Sequence, residues 1–157
     1  MSLTPDFEKA VNFTLSYEGG YVNHPADPGG ETNFGISKRA YPNLDIKGLT
    51  RDKAKEIYKR DYWDVFPMDK LPVGVRIALF DTAVNCGVSR ATKLLQRACM
   101  VGEDGVIGRT TIAAANLPNV VQSLISERII FYAGLDGFKL FAKGWVKRCV
   151  ALAKECL

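Results

Sequence analysis

Residues 72–87, PVGVRIALFDTAVNCG, read as a helix without a polar face. Val73, Val75, Ile77, Ala78, Leu79, Phe80, Ala83 and Val84 spread apolar side chains nearly all the way round. A helix of that kind has to be enclosed by other elements. The rest of the 157-residue chain must supply the enclosure, and a chain of this length buries roughly two thirds of its unfolded surface as one domain. One compact domain around one central helix is the expectation. Asp81 and Asn85 interrupt the helix at four-residue spacing, on one face, and polar groups so placed need hydrogen-bond partners. Either they cap neighbouring loops or they line a cleft from below.

Caps and apolar spacing mark the enclosing elements. Thr4-Pro5-Asp6 is a helix start, with a capping hydroxyl, a proline at the first position and an acid at the positive end of the dipole. Its apolar stripe runs Phe7, Ala10, Val11, Leu15. Thr50 opens a helix of about 12 residues through Ala54, Ile57, Tyr58, Asp61 and Tyr62. Ser89 caps a helix carrying Ala91, Leu94, Leu95 and Ala98, and Thr110 or Thr111 begins a short one. Two long helices follow, from about Asn119 to Leu135 and from about Phe141 to Leu157. The fold class is therefore mainly α, with about seven helices around the central one and a small β-hairpin near the N-terminus.

The hairpin lies in the stretch Tyr17 to Ser37, YEGGYVNHPADPGGETNFGIS, which has too many breakers for one regular element. Extending the first stripe by one step reaches Glu18, in the last turn of the first helix, and Gly19-Gly20 ends that helix. Apolar neighbours and the negative end of the dipole both act against a charge there, and a general acid needs such surroundings. The bland alternative is a glutamate turned to solvent or paired with a lysine. Asp27-Pro28-Gly29-Gly30 reads as the hairpin turn, folding back to bring Asp27 and Thr32 into range of Glu18. Tyr62 and Trp63, beside Asp61 and Asp64, suit either a sugar platform or the completion of a core.

Composition removes several function classes. With 47% hydrophobic and 24% charged residues the chain is neither disordered nor membrane-spanning, and no apolar run approaches the roughly 18 residues of a spanning helix. MSLTPDFEKA has acids and no apolar core, unlike a secretory signal, so synthesis in the cytoplasm and export by outside help are expected. Residues 1–87 hold 11 Lys and Arg against 12 Asp and Glu, whereas residues 88–157 hold 10 against 5. The basic half suits an anionic polymer or surface, or is a solvated face. The last helix, with Lys139, Lys143, Lys147, Arg148 and Lys154, covers a core or lies on a membrane, and covering the core is the reading preferred. Cys86, Cys99, Cys149 and Cys156 form no CxxC pair, and His24 is the single histidine, so free thiols and no metal site are expected. Asp104-Gly105-Val106-Ile107 lacks the alternating acids and final Glu of an EF-hand.

Glu18-Gly19-Gly20-Tyr21, Asp27-Pro28-Gly29-Gly30-Glu31-Thr32 and Phe34-Gly35-Ile36 together resemble glycoside hydrolase family 108, the peptidoglycan-cleaving N-acetylmuramidases. Asp61-Tyr62-Trp63, Asp81 to Gly87 and Asp104 to Gly108 with Thr111 resemble further family segments, so the similarity spans nearly the whole chain. The resemblance implies a lysozyme-like fold, with a catalytic lobe over 1–87 and, over 88–157, a helical region like the family's peptidoglycan-binding part, packed into one domain. It also implies that Glu18 is the catalytic acid. The broader lysozyme superfamily places an Asp and a Thr after that Glu, which here would be Asp27 and Thr32, with Glu31 competing for the second carboxylate. Tyr21, Tyr62, Trp63, Asp81 and Asn85 are the candidates for the saccharide groove.

The activity implied is hydrolysis of the β-1,4 bond between N-acetylmuramic acid and N-acetylglucosamine. A lytic transglycosylase or a non-catalytic peptidoglycan-binding module are the alternatives. Neither cofactor nor metal is implied, the partner is peptidoglycan and not nucleic acid, and a monomer is expected. A holin or secretion machinery would bring the protein to its place of action, the periplasm or cell wall.

Overall fold

The computed structural model describes residues 3–24 and 29–157. Seven α-helices and one two-stranded sheet occur among them. In chain order they are α1 (Pro5–Tyr17), β1 (Thr32–Asn33), β2 (Ile36–Ser37), α2 (Arg51–Tyr58), α3 (Val73–Cys86), α4 (Val88–Ala98), α5 (Arg109–Ala115), α6 (Val120–Ala133) and α7 (Phe138–Glu155). The enclosure demanded by α3 is supplied by α1, α4, α6 and α7, all of which pack on it. Val75, Ile77, Ala78, Leu79, Phe80 and Ala83 are buried on α3, and so are Asp81 and Thr82.

The capping chemistry of α1 and α2 is as the sequence suggests. Thr4 Oγ1 accepts the Phe7 N–H at 3.4 Å, and Thr50 Oγ1 accepts that of Lys53 at 3.2 Å. At α4 the expectation fails. The helix opens at Val88 directly after Gly87, whose φ of +89° makes the corner, and Ser89 lies exposed in the first turn. A glycine there lets α3 pass into α4 without a connecting loop.

The hairpin also differs from expectation. Thr32 pairs with Ser37 and Asn33 with Ile36, so the two-residue turn is Phe34-Gly35, both at positive φ (51° and 76°). A turn with both central residues left-handed matches the twist of the strands it joins. Phe is an unusual occupant of that conformation; glycine at the second place signals the turn. The Asp27-Pro28 part of the anticipated turn lies outside the described residues. Its flanks are tied, because Val22 and Thr32 exchange N–H···O bonds of 2.8 Å in both directions.

After α2 the helix widens into a π-helical turn, Lys59–Trp63, closed by Asp64 N–H donating to Lys59 O at 2.8 Å. The extra residue carries Trp63 round to the core side. There it meets Phe7 and Phe80 edge-on, at 5.3 and 5.7 Å between ring centres. Phe7 and Tyr58 also meet Phe80, at 5.8 and 6.3 Å, and contacts of this geometry contribute about 0.5–1.5 kcal/mol each beyond area burial.

α7 closes the structure over the start of α3. A Cβ on Gly74 would lie 2.6 Å from the Cys156 carbonyl oxygen and 3.2 Å from Val121 Cγ2. Gly74→Ala gains about 1 kcal/mol of helix propensity and meets backbone that has to move. The expected net result is a loss of about 1–3 kcal/mol, read from the urea midpoint. A variant more stable than the parent would show that the C-terminal turn is not held where it lies.

Candidate active site

Glu18 is the first residue beyond α1. Its backbone is already extended (φ −86°, ψ 139°), one residue later than the last-turn position the stripe suggests, and its side chain is 21% exposed. Phe34 N–H donates to Gly19 O at 3.0 Å, so the hairpin turn is fastened to the residue that follows Glu18. A pocket of about 180 Å³ lies between the two, lined by Glu18, Gly35, Ser37, Tyr41, Tyr58 and Tyr62 among others, with Val84 contributed by α3.

Gly35 is required at this junction. A Cβ there would fall 2.5 Å from Glu18 Oε2 and 2.7 Å from the Tyr58 hydroxyl, inside any tolerable contact. Tyr58 OH donates to Phe34 O at 2.7 Å, and Tyr58 and Tyr62 stand 5.7 Å apart. Burial first, and then the neighbouring Glu18 charge, pushes the Tyr58 phenol well above its ordinary value. Burial, with the Asp61 and Glu18 charges behind it, raises that of Tyr62. Both phenols are therefore neutral hydrogen-bonding groups beside Glu18.

On its other side Glu18 meets a cation, which departs from the wholly charge-opposing surroundings that the sequence suggests. Arg148 Nη1 donates to Glu18 Oε1 at 3.2 Å, and the same guanidinium grips Asp81, with Nη2 to Oδ1 at 2.7 Å and Nε to Oδ2 at 3.2 Å. Its carbon also stands 5.3 Å from the Tyr17 ring centre. Asp81 receives two further donors, Thr14 Oγ1 at 2.8 Å and Arg128 Nη1 at 2.7 Å. Burial opposes the Asp81 charge, but Arg128 and then Arg148 outweigh it and hold the carboxyl below the usual range. Arg128 Nε donates in turn to Tyr132 OH at 2.7 Å, and that hydroxyl donates to Asn85 Oδ1. Among the described residues Glu18 Oε2 has no hydrogen-bond partner, and no group of acids, histidines and cysteines is arranged to hold a metal.

Of the residues singled out in the sequence, the pocket brings together Glu18 and Tyr62. Trp63 is not brought there, being enclosed by Phe7 and Phe80 at 6% exposure. Asp81 lies beneath the site, fully buried, where it holds Arg148 rather than lining the pocket. Asn85 is exposed at the end of α3 and bonded to Tyr132. Tyr21 is exposed on the hairpin side, its hydroxyl donating to Glu31 Oε1 at 2.8 Å. Thr32 stands in β1 where the tied loop returns. Asp27 lies outside the described residues.

Tyr41, Tyr58, Gly35 and Arg148 were not foreseen. Arg148 has a sequence signal in retrospect. It adjoins Cys149 and precedes Leu152 by four, within the buried stripe of α7, a place where a cation needs an anion.

Two comparisons bear on this arrangement. The family model described as Glycosyl hydrolase 108 matches residues 11–87, the span holding Glu18, the hairpin and α3. The chain is also similar to the solved structure of Brucella abortus SagA, with 38% identity over 96% of this chain and 92% of that one, at a TM-score of 0.83. No curated protein matches it.

Replacing Asp81 tests the support beneath the site. Asp81→Asn keeps the shape but leaves Arg128 without its anion and Arg148 with Glu18 alone, and a loss of about 3–5 kcal/mol is expected. The parent carboxyl titrates lower folded than unfolded. Its stabilisation is therefore complete above about pH 4, the unfolded value, and falls away as pH drops through the lower folded value. Denaturation series against pH should show a shallower acid limb in the variant, and an unchanged limb would remove Asp81 from the acid response.

Proposed function

Because the chain belongs to glycosyl hydrolase family 108 and is thus a glycoside hydrolase, we propose that it is a muramidase. Its substrate would be peptidoglycan, cleaved at the β-1,4 bond between N-acetylmuramic acid and N-acetylglucosamine. The observation that carries this reading is the position of Glu18. It is the acid of the pocket, with Oε1 held by Arg148 and Oε2 left for a substrate.

Glycoside cleavage needs a proton for the leaving oxygen and a negative group or activated water for the oxocarbenium-like centre. Glu18 is the proton donor in this proposal. The Arg148 contact fixes one carboxyl oxygen, so the other is presented in one direction, and orientation of that sort is a large part of a general acid's effect. Asp27, which falls in sequence between the paired Val22 and Thr32, is the proposed second carboxylate, with Thr32 helping to hold the water. The rival Glu31 is engaged by Tyr21, which favours Asp27. A water-activating base implies inversion and carboxyls about 6.5–9.5 Å apart. Tyr41 and Tyr62, both half-buried, offer ring faces to a sugar, while Tyr58 backs the pocket with its hydroxyl committed to Phe34 O.

Purified peptidoglycan and mass spectrometry of the digest test the reaction. The expected product has a new reducing end at N-acetylmuramic acid; an anhydro sugar would make the protein a lytic transglycosylase. Glu18→Gln should keep fold and polymer binding while losing about 100-fold or more of the rate, and near-parental activity would end the assignment.

Gly35→Ala tests the geometry rather than the acid. It retains every polar group of the pocket yet displaces Glu18 or Tyr58, and roughly 100-fold lower kcat is expected. A variant with parental kcat would show that the close approach is unimportant for turnover.

A further inference from the structure

α7 is buried over its second half only. Arg148, Cys149 and Leu152 are its buried residues, and none of residues 138–147 is buried. The first turns of α7 and the loop before them present Leu140 at 79% exposure, Phe141 at 52% and Leu135 at 37%. Lys139, Lys143 and Lys147 stand exposed around them and make no ion pair among the described residues. Between Glu127 and Glu155 the sequence has one acid, Asp136. An exposed apolar pair flanked on one side by unpaired cations has a complement in an interface that is apolar beneath and anionic above.

We propose that this end of α7 docks on an anionic lipid surface. Leu140 and Phe141 would enter the boundary between headgroups and acyl chains, while Lys139, Lys143 and Lys147 meet lipid phosphates. The contact is peripheral; among the described residues no helix is long and apolar enough to cross a membrane. A sugar polymer fits the tip less well. Trp145, the side chain best suited to stack on a sugar, is already stacked on Tyr132 at 4.8 Å and on Phe141 at 5.6 Å, and the most exposed group is the aliphatic Leu140. The surface is separate from the Glu18 pocket, so the proposal does not depend on which glycan bond is cleaved.

Co-sedimentation of the full chain with phosphatidylcholine vesicles, with and without phosphatidylglycerol, tests it. Binding is expected to the anionic vesicles, weakened by added salt as screening requires, with little binding to the neutral ones. Lys139→Glu with Lys143→Glu should weaken it by about 25-fold or more, taking about fivefold for each lysine as the lower limit. Leu140→Ser should cost about tenfold and, being at an exposed position, should leave the melting temperature and the cleavage of soluble wall fragments at parental values. Four results would overturn the proposal: no binding to anionic vesicles at low salt, equal binding to both compositions, variants that bind like the parent, or variants that lose wall binding while vesicle binding stays intact. The last result would assign the tip to the wall polymer.

Discussion

The arrangement depends on one buried anion. Asp81 sits on the most apolar helix of the chain and is reached by donors from three others, Thr14 on α1, Arg128 on α6 and Arg148 on α7. Such a group is a poor source of stability, since apolar residues of equal volume commonly do as well or better. Its effect is on specificity. α6 and α7 can slide or rotate against α3 only by leaving a charge unpaired in the core, and α1 only by breaking the Thr14 hydrogen bond, so their mutual placement has few alternatives. Arg148 is the outermost member and transmits that placement to Glu18.

The opposite wall of the pocket is set by sterics. Phe34 and Gly35 form a tight left-handed turn whose backbone approaches Glu18 and Tyr58 so closely that no side chain fits. The proposed acid thus stands between a charged support from the helical side and a backbone surface from the hairpin side. These constraints have different tolerances. The ion pair can stretch and take in water, whereas the glycine contact cannot yield without moving a tyrosine or the acid itself.

Features with local causes were legible in the sequence. The caps at Thr4 and Thr50, the termination of α1 before Gly19-Gly20, and the enclosure of α3 follow from residues near one another in the chain. Misreadings arose where the cause was distant or the helix irregular. An aromatic pair beside acids left Trp63 open to a groove or a core place, and the resemblance put it with Tyr62 in the groove; a π-turn sends the two to different places. Arg128 and Arg148 were invisible as site residues because an arginine is ordinarily assigned to solvent. Yet Arg128 lies four residues from both Leu124 and Tyr132, in a buried row. An acid in one apolar stripe and arginines in two others was a pairing signal, although only the fold could identify the partners.

The Glu18–Arg148 contact spans 130 residues of sequence. During synthesis α1 and the hairpin are complete long before Arg148 is added, so the acid is made early and receives its support late. Until that helix docks, Asp81 has only one of its two cations and Glu18 has none. A nascent chain therefore carries its proposed acid without the Arg148 contact, and the last α-helix of the described structure is the element that completes the proposed site.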